Sequence, residues 1–363
     1  MFHQLAVHLC RVRVALAPLR SRSLTRLSGV DSRKFVQKLI TNDIHVLDDP
    51  SAASLHAAVL SPQGRILHDV FVLRDSPSSL LLDHCAASAE PFRALLRRYR
   101  MRSDVSIEPC ADHSVVALFA RQPLPALANS FVDTRHEALG RRFVLRGGDN
   151  DLARLEAELR SSGVADVWRV DENIYDLYRT CLGVPSDPVE IVSGVSLPSE
   201  ATLDYLSAIS YDKGCYVGQE LTARTHFVGT TRKMLMPIVP ASAAGDGLVA
   251  EPGSLFEKWS RDVFGPAFGV PLPPIGVELE PLSADGGSGG GGGGRRGAGK
   301  VMRGGVWGAG FALMRLENLP ADLGSAVFTC KKRDGDADDE YAAQVKLIEP
   351  HWWATHVGKR FTQ

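Results

Sequence analysis

The apolar pattern of the chain changes character near Phe227, and that change limits the fold more than any other feature. Before it, helical and strand periodicities alternate. Phe35, Val36, Leu39 and Ile40 form one stripe behind Asp31, a suitable N-cap. Ala89 to Arg100 places Phe92, Leu95, Leu96 and Tyr99 on one helical face, and Asp149 to Ser161 reads as a further helix. His56 to Leu60 and Ile66 to Leu73 read as strands joined by the turn Ser61-Pro62-Gln63-Gly64. Leu80 to Asp83, Val115 to Phe119 and Arg142 to Leu145 are shorter strands of the same kind. Repeated strand, helix and strand groups predict an α+β body with ferredoxin-like subdomains. After Phe227 the helical period stops. Short apolar runs alternate with Pro and Gly at Met234 to Val239, Val306 to Met314, Ala326 to Cys330 and Ala342 to Leu347, the pattern of a compact β-barrel. The expected domains are therefore 23–227 and 228–363, which suits a chain of 363 residues.

A Gly-rich stretch at 285–299 interrupts the second domain and is expected to be an insertion between barrel strands. Gly294 to Lys300 formally reads G-x-x-x-x-G-K, but Val301 follows where a phosphate loop needs Ser or Thr, and polyglycine supplies neither the strand before it nor the helix after it. Asp334 to Glu340 reads as a solvated acidic turn. Lys+Arg number 41 against 42 Asp+Glu, a formal net charge of −1, which argues against a phosphate-driven nucleic-acid binder. No run approaches the roughly 20 apolar residues a bilayer span requires, so no membrane partner is expected.

The charge is unevenly distributed. Arg11, Arg13, Arg20, Arg22 and Arg26 precede the first acidic residue, Asp31, and Leu5, Leu9, Val12 and Leu16 share one helical face ahead of Pro18. An amphipathic, Arg-rich, acid-free start is the composition of a mitochondrial transit peptide, expected over residues 1–22. Its removal would take four arginines and leave a net charge of −5 on the remaining chain.

Six cysteines, Cys10, Cys85, Cys110, Cys181, Cys215 and Cys330, form no C-x-x-C pair and no zinc-like spacing. Cys215 differs from the rest by its setting, Lys213-Gly214-Cys215-Tyr216-Val217-Gly218-Gln219-Glu220. Flanking glycines suit a tight turn that presents the thiol, Lys213 favours a thiolate, and Gln219 and Glu220 offer polar groups to a ligand. A structural turn with a buried cysteine is the alternative reading of the same spacing.

Followed by Leu221-Thr222-Ala223-Arg224-Thr225, this segment resembles the signature of the YgfZ-like folate-binding proteins, relatives of the glycine-cleavage aminomethyltransferase (T-protein). Leu39-Ile40-Thr41-Asn42-Asp43, Leu60 to Asp69, Tyr178-Arg179 with Gly183-Val184-Pro185, Gly229 to Lys233, Gly299 to Arg303 and Trp352-Trp353 agree in order. With its Arg-rich start, the chain is most similar to the mitochondrial members that act in iron–sulfur cluster assembly. The departures are local. Pro198-Ser199-Glu200-Ala201-Thr202 stands where the family has Pro-Leu-Glu-Ser-Asn, Met234 stands where arginine is common, and His68-Asp69 replaces the Asp-Asp pair of the aminomethyltransferases.

The resemblance implies a folate-binding α+β body of T-protein type with a C-terminal β-barrel. It also implies a location in the mitochondrial matrix, tetrahydrofolate or a one-carbon derivative as cofactor, and maturation of four-iron clusters on client enzymes of the aconitase and lipoate-synthase type, with A-type iron–sulfur scaffold proteins as partners. Within that frame Cys215 is the key thiol and transient cluster ligand, assisted by Lys213. Asp69 and Glu200 are expected at the pterin, Tyr178 and Tyr216 in packing against it, Gln219 and Glu220 in polar contacts, and Arg224 or Arg232 at the glutamate tail. Five scattered cysteines after residue 22 do not favour a self-contained four-iron site. Two alternatives stay open: a folate-dependent aminomethyl or other one-carbon transferase, and an accessory to cluster-dependent tRNA modification.

Overall fold

The computed structural model describes residues 14–120, 124, 127, 129–164, 167–243, 272–282, 297–303, 308–320, 323, 326–331, 344–350 and 352–353. Leu5, Leu9 and Val12 of the expected leader helix, residues 283–296 of the Gly-rich insertion and the acidic turn at 334–340 lie outside the described residues. The chain divides into two units, one of Val12–Tyr175 with Ser186–Thr230, the other containing Asp176–Pro185 and the segment from Thr231. Residues 176–185, assigned by sequence to the 23–227 body, thus belong with the barrel, and the division falls at Thr230/Thr231.

The first unit holds two five-stranded sheets. One has the order β3 (Ser54–Leu60), β4 (Ile66–Ser76), β5 (Ser79–Cys85), β2 (Arg22–Ser28) and β6 (Ser106–Pro109). Helices α1 (Ser32–Gln37) and α2 (Ala89–Arg100) cover one face of it, where Phe35, Val36, Phe92 and Leu96 pack with Leu55, Val59, Val70, Val72, Leu80 and Leu82. The other sheet has the order β10 (Val167–Arg169), β1 (Val14–Leu19), β7 (Ser114–Ala120), β9 (Arg141–Leu145) and β8 (Ser130–Val132). Helix α3 (Asp149–Ser161) sets Leu152, Leu155 and Leu159 against Leu16, Val116, Leu118 and Phe143. Asp31 occupies the N-cap position of α1, but its side chain caps nothing there and instead accepts from the Asp104 amide at 2.9 Å.

Residues 14–22 correct the leader boundary expected at residue 22. Val14–Leu19 is an interior strand, parallel to β10 and antiparallel to β7. Leu16 joins the core under α3, while Ala15, Ala17 and Leu19 are buried as well, so the strand is covered on both faces and its sequence is apolar throughout. At Arg20 and Ser21 the chain passes from one sheet to the other. Glu172, at the start of α4 (Glu172–Cys181), accepts there from the Arg20 amide at 2.8 Å and the Ser21 amide at 3.1 Å.

An ionic layer is buried within this unit. Arg22 binds Asp69 at 2.9 Å and Asp83 at 2.6 Å, Arg142 binds Asp83 at 2.5 Å and Asp133 at 3.1 Å, and Arg135 binds Asp133 at 2.7 Å. Tyr175 donates to Asp133 at 3.1 Å, and the Arg135 and Arg142 guanidiniums lie over the Phe71 ring at 4.9 and 4.2 Å. Burial would push Asp69 and Asp133 up, but the facing arginines outweigh it and hold both well below the usual carboxylate range. Asp187 is the exception. It lies 3.7 Å from Arg22, and burial together with the charge of Asp69 pushes its carboxyl up to about 9.

The second unit contains a closed barrel of six strands in the order β11 (Lys233–Pro240), β14 (Gly310–Arg315), β13 (Gly299–Arg303), β12 (Glu278–Pro281), β15 (Val327–Lys331) and β16 (Gln344–Leu347). Met236, Ile238, Phe311, Phe328 and Val345 are buried in this unit. Among the described residues no helix is long and apolar enough to cross a membrane.

Two outcomes follow. A chain starting at Ser23 lacks an interior strand and an arginine that joins two carboxylates, and it is expected to lose cooperative unfolding. A sharp urea transition with native far-ultraviolet dichroism would contradict that role for residues 14–22. A carboxyl raised on folding stabilises at low pH, and its contribution is lost as pH rises through the folded value. His68 and His84, pressed by burial from 6.5 down to about 4, act in the opposite sense, but only below about 6.5. Burial lowers Lys213 from 10.5 to about 8, so it acts only above that value. Between these limits Asp187 dominates, and urea stability should fall as pH rises from about 6.5 to 8, by at most about 1.4 kcal/mol per pH unit. Asp187→Asn should flatten the profile, and a wild-type stability that rises over this window would refute the assignment.

Candidate functional site

The Cys215 segment is fixed to the first unit at several backbone points, while the thiol itself is exposed. On its N-terminal side, Thr41 Oγ1 donates to the Ala208 carbonyl at 2.7 Å, the Ser210 amide donates to the Thr41 carbonyl at 3.1 Å, and Asn42 Nδ2 donates to the Ser207 carbonyl at 2.8 Å. The Thr41-Asn42 step therefore clamps the chain that leads into the motif. On the C-terminal side, the Val217 amide donates to the Lys38 carbonyl at 3.1 Å.

Gly218 follows at φ +80 and begins helix α5 (Gln219–Phe227). A Cβ on Gly218 would stand 2.3 Å from the Ser61 carbonyl oxygen, so the backbone lies directly on the β3–β4 turn and only glycine fits. Gln219 Oε1 accepts from the Tyr216 amide at 2.9 Å, closing the turn that carries Cys215.

Lys213 is the anchor within the motif. Its Nζ donates to the carbonyls of Gln37 at 2.7 Å, Ile40 at 2.8 Å and Asn42 at 2.8 Å, which uses all three of its hydrogens. These carbonyls lie at and just past the end of α1, where a cation also meets the negative end of the helix dipole. Lys213 thus positions the segment, with its three ammonium hydrogens committed to the backbone. Four other described cysteines, Cys85, Cys110, Cys181 and Cys330, are buried, and burial pushes the thiols of Cys181 and Cys330 up, the latter to about 12. Among the described residues no group of three His, Cys, Asp or Glu side chains is placed to hold a metal ion.

The remaining sequence-predicted residues divide between the units. Tyr216 and Gln219 are half-buried beside the thiol, with burial pushing the Tyr216 phenol up to about 12, and Glu220 and Arg224 are exposed on α5. Glu200 is half-buried two residues before Thr202, which adopts φ +61 with Ser207 at φ +54 close behind. Two non-glycine residues in this sparsely populated region mark a segment held in place by its surroundings. Asp69 is fully buried in the ionic layer. Tyr178, buried, and Arg232, exposed, belong to the barrel unit.

Sequence reasoning missed the ionic-layer roles of Arg22, Asp83, Asp133, Arg135, Arg142 and Asp187. The readable signal was charge inside apolar strands, as in Leu80-Leu81-Leu82-Asp83, where alternation carries Asp83 to the face opposite Leu80 and Leu82.

No protein-family model matches the chain. It is 31% identical over 362 residues to the mitochondrial iron–sulfur cluster assembly factor IBA57 homolog of Mycosarcoma maydis, covering 93% of this chain and 84% of that protein. The homolog of the same name from Neurospora crassa is 30% identical over 378 residues, covering 94% and 81%. Among solved structures, the glycine cleavage system aminomethyltransferase T of Bartonella henselae superposes with a TM-score of 0.63 at 15% identity, covering 96% of this chain and 89% of that one, which establishes a shared fold. The α+β body with its C-terminal barrel is thus the aminomethyltransferase T fold, and by its sequence the chain belongs to the family of mitochondrial IBA57 iron–sulfur cluster assembly factors.

Proposed function

We propose that the protein works in the mitochondrial matrix as an iron–sulfur cluster assembly factor, with Cys215 as the thiol that engages a cluster in transit. The observation that carries this reading is the contrast between Cys215 and its surroundings. It is exposed, the other described cysteines are buried, and the backbone on both sides is tied down by Thr41, Asn42, Lys213 and Gly218. A thiolate on a fixed backbone supplies one ligand at a defined place, and a cluster needs several. The remaining ligands then come from the delivering or receiving protein, and an A-type scaffold and four-iron enzymes of the aconitase and lipoate-synthase type are the proposed partners.

Tetrahydrofolate is the proposed small-molecule ligand. Asp69 fits one requirement: Arg22 keeps its carboxyl ionised, and its buried Oδ2 makes no hydrogen bond within 3.5 Å, with His56 Nε2 standing at 3.8 Å, so it has acceptor capacity for the N–H edge of a pterin. Glu200, Tyr216, Gln219 and Glu220 would supply further polar and packing contacts, and Arg224 a cation for the glutamate tail. Bound tetrahydrofolate supplies an acceptor for one-carbon groups, while the residues of this chain bind and orient it.

The second reading, aminomethyl transfer, is favoured by one observation, the ionised Asp69 within an aminomethyltransferase T fold. Cells carrying Cys215→Ser should lose aconitase and lipoate-synthase activities at least tenfold while the variant protein accumulates normally, and unchanged activities would overturn the role of Cys215. With the purified chain, tetrahydrofolate at about 100 times its Kd should stabilise by about 2.7 kcal/mol, and Asp69→Asn should remove the effect. Methylene-tetrahydrofolate formed from an aminomethylated carrier protein would move the assignment to the second reading.

A further inference from the structure

Two loops at one tip of the first unit expose apolar side chains among unpaired cations. The loop after β2 carries Val30 and the loop after α2 carries Met101, each 84% exposed. They are tied together by backbone contacts. The Asp31 amide donates to the Asp104 carbonyl at 3.4 Å, the Asp104 amide donates to Asp31 Oδ2 at 2.9 Å, and a Cβ on Gly29 would stand 2.2 Å from the Asp104 carbonyl oxygen. Met101 adopts φ +49, a conformation L side chains rarely take, so the backbone rather than local preference sets its outward position.

The charge at this tip is mostly of one sign. Arg98, Arg100 and Arg102 are exposed around Met101, and Lys34 is exposed on α1 four residues after Val30. None of the four makes an ion pair among the described residues. Arg93 and Arg97, further back on α2, are instead engaged by Glu90 at 2.9 and 2.8 Å, and Arg33 on α1 is engaged by Asp48. The acidic groups at the tip are Asp31, which accepts from a backbone amide, and Asp104, which is exposed. Four cations without partners thus face two carboxylates.

We propose that this tip is a contact surface for an anionic phospholipid bilayer, with Val30 and Met101 entering the boundary between headgroups and acyl chains while Lys34, Arg98, Arg100 and Arg102 meet lipid phosphates. The shape of the feature favours a bilayer over an acidic protein. The apolar groups project singly from two loops, which suits a fluid boundary that closes around each side chain. Long arginine side chains keep their charge at phosphate level while their stems cross apolar surface. Attraction of about one basic residue's worth per cation, and its loss with added salt, follows from the surface potential of anionic lipid. The proposal is independent of Cys215 and of folate.

The test is flotation of the full chain with vesicles of phosphatidylcholine alone and of phosphatidylcholine mixed with phosphatidylglycerol, with tRNA as a soluble polyanion for comparison. Association is expected with the anionic vesicles only and should weaken as salt is raised. The triple variant Arg98→Gln/Arg100→Gln/Arg102→Gln should bind roughly a hundredfold more weakly, at about fivefold per charge. Val30→Ser/Met101→Asn, in which asparagine tolerates the positive φ, should weaken vesicle binding at least tenfold and leave any tRNA binding unchanged. Unchanged thermal midpoints show that both variants are folded, as expected for exposed positions. Absence of association with anionic vesicles overturns the proposal. So does vesicle binding that either variant leaves intact, and so does tRNA binding as tight as vesicle binding with no dependence on Val30 and Met101, which would assign the tip to nucleic acid.

Discussion

The first unit depends on a buried balance of charge. Three guanidiniums, from Arg22, Arg135 and Arg142, meet the carboxyls of Asp69, Asp83 and Asp133, with Asp187 as a fourth acid at the edge. Each ion is costly to remove from water, and removing one partner of such a pair typically costs about 3–5 kcal/mol because the other is left uncompensated. The layer therefore fixes which strands can lie together, since β2, β4, β5 and β9 each contribute a member. With three positive charges and four acids, one acid keeps its proton, and Asp187 is the one that burial and Asp69 push upward. Asp69 stays charged because Arg22 holds it so.

The thiol segment is built on a different principle. It contains almost no regular structure between Ser196 and Gly218, and its shape comes from side chains that take over backbone hydrogen bonds. Thr41 and Asn42 act through carbonyls on the 207–210 stretch, and Lys213 reaches back to three carbonyls beyond α1. The result is an exposed cysteine on a hydrogen-bonded support, which suits the proposed transient ligand because its position is set before the partner arrives.

Sequence legibility followed the range of the interactions involved. Helices α2 and α3, the β3–β4 hairpin and the barrel strands β11, β14, β15 and β16 were readable because periodicity and turn residues are local signals, and α2 and α3 agree with their expected limits at both ends, whereas β12, a short Glu-Leu-Glu-Pro strand, carries no such signal. Strand β1 was unreadable as a strand. Covered on both faces, it has no alternation, and the arginines after it extended the expected leader to residue 22 although Arg22 is a core residue. The ionic layer was equally hidden, since Arg22 and Asp83 are 61 positions apart and Arg142 and Asp83 are 59 apart. At the thiol, the glycines of the turn were legible, while the spacing left open whether the cysteine is exposed or buried, which only the fold decides. The role of Lys213 was not legible, because its acceptors are carbonyls about 175 residues upstream, and carbonyls carry no residue signature.

The crossing at Arg20 and Ser21 has a consequence for the order of assembly. Strand β1 is among the first elements in the chain, yet its parallel neighbour is Val167–Arg169 and the carboxylate that receives its last amides is Glu172, 152 positions after Arg20. Contacts of such separation close large loops and form late compared with hairpins such as β3–β4. A chain emerging from a ribosome or from a translocation pore thus holds this strand without its parallel neighbour until nearly half of its length is available, although its antiparallel partner β7 is made earlier.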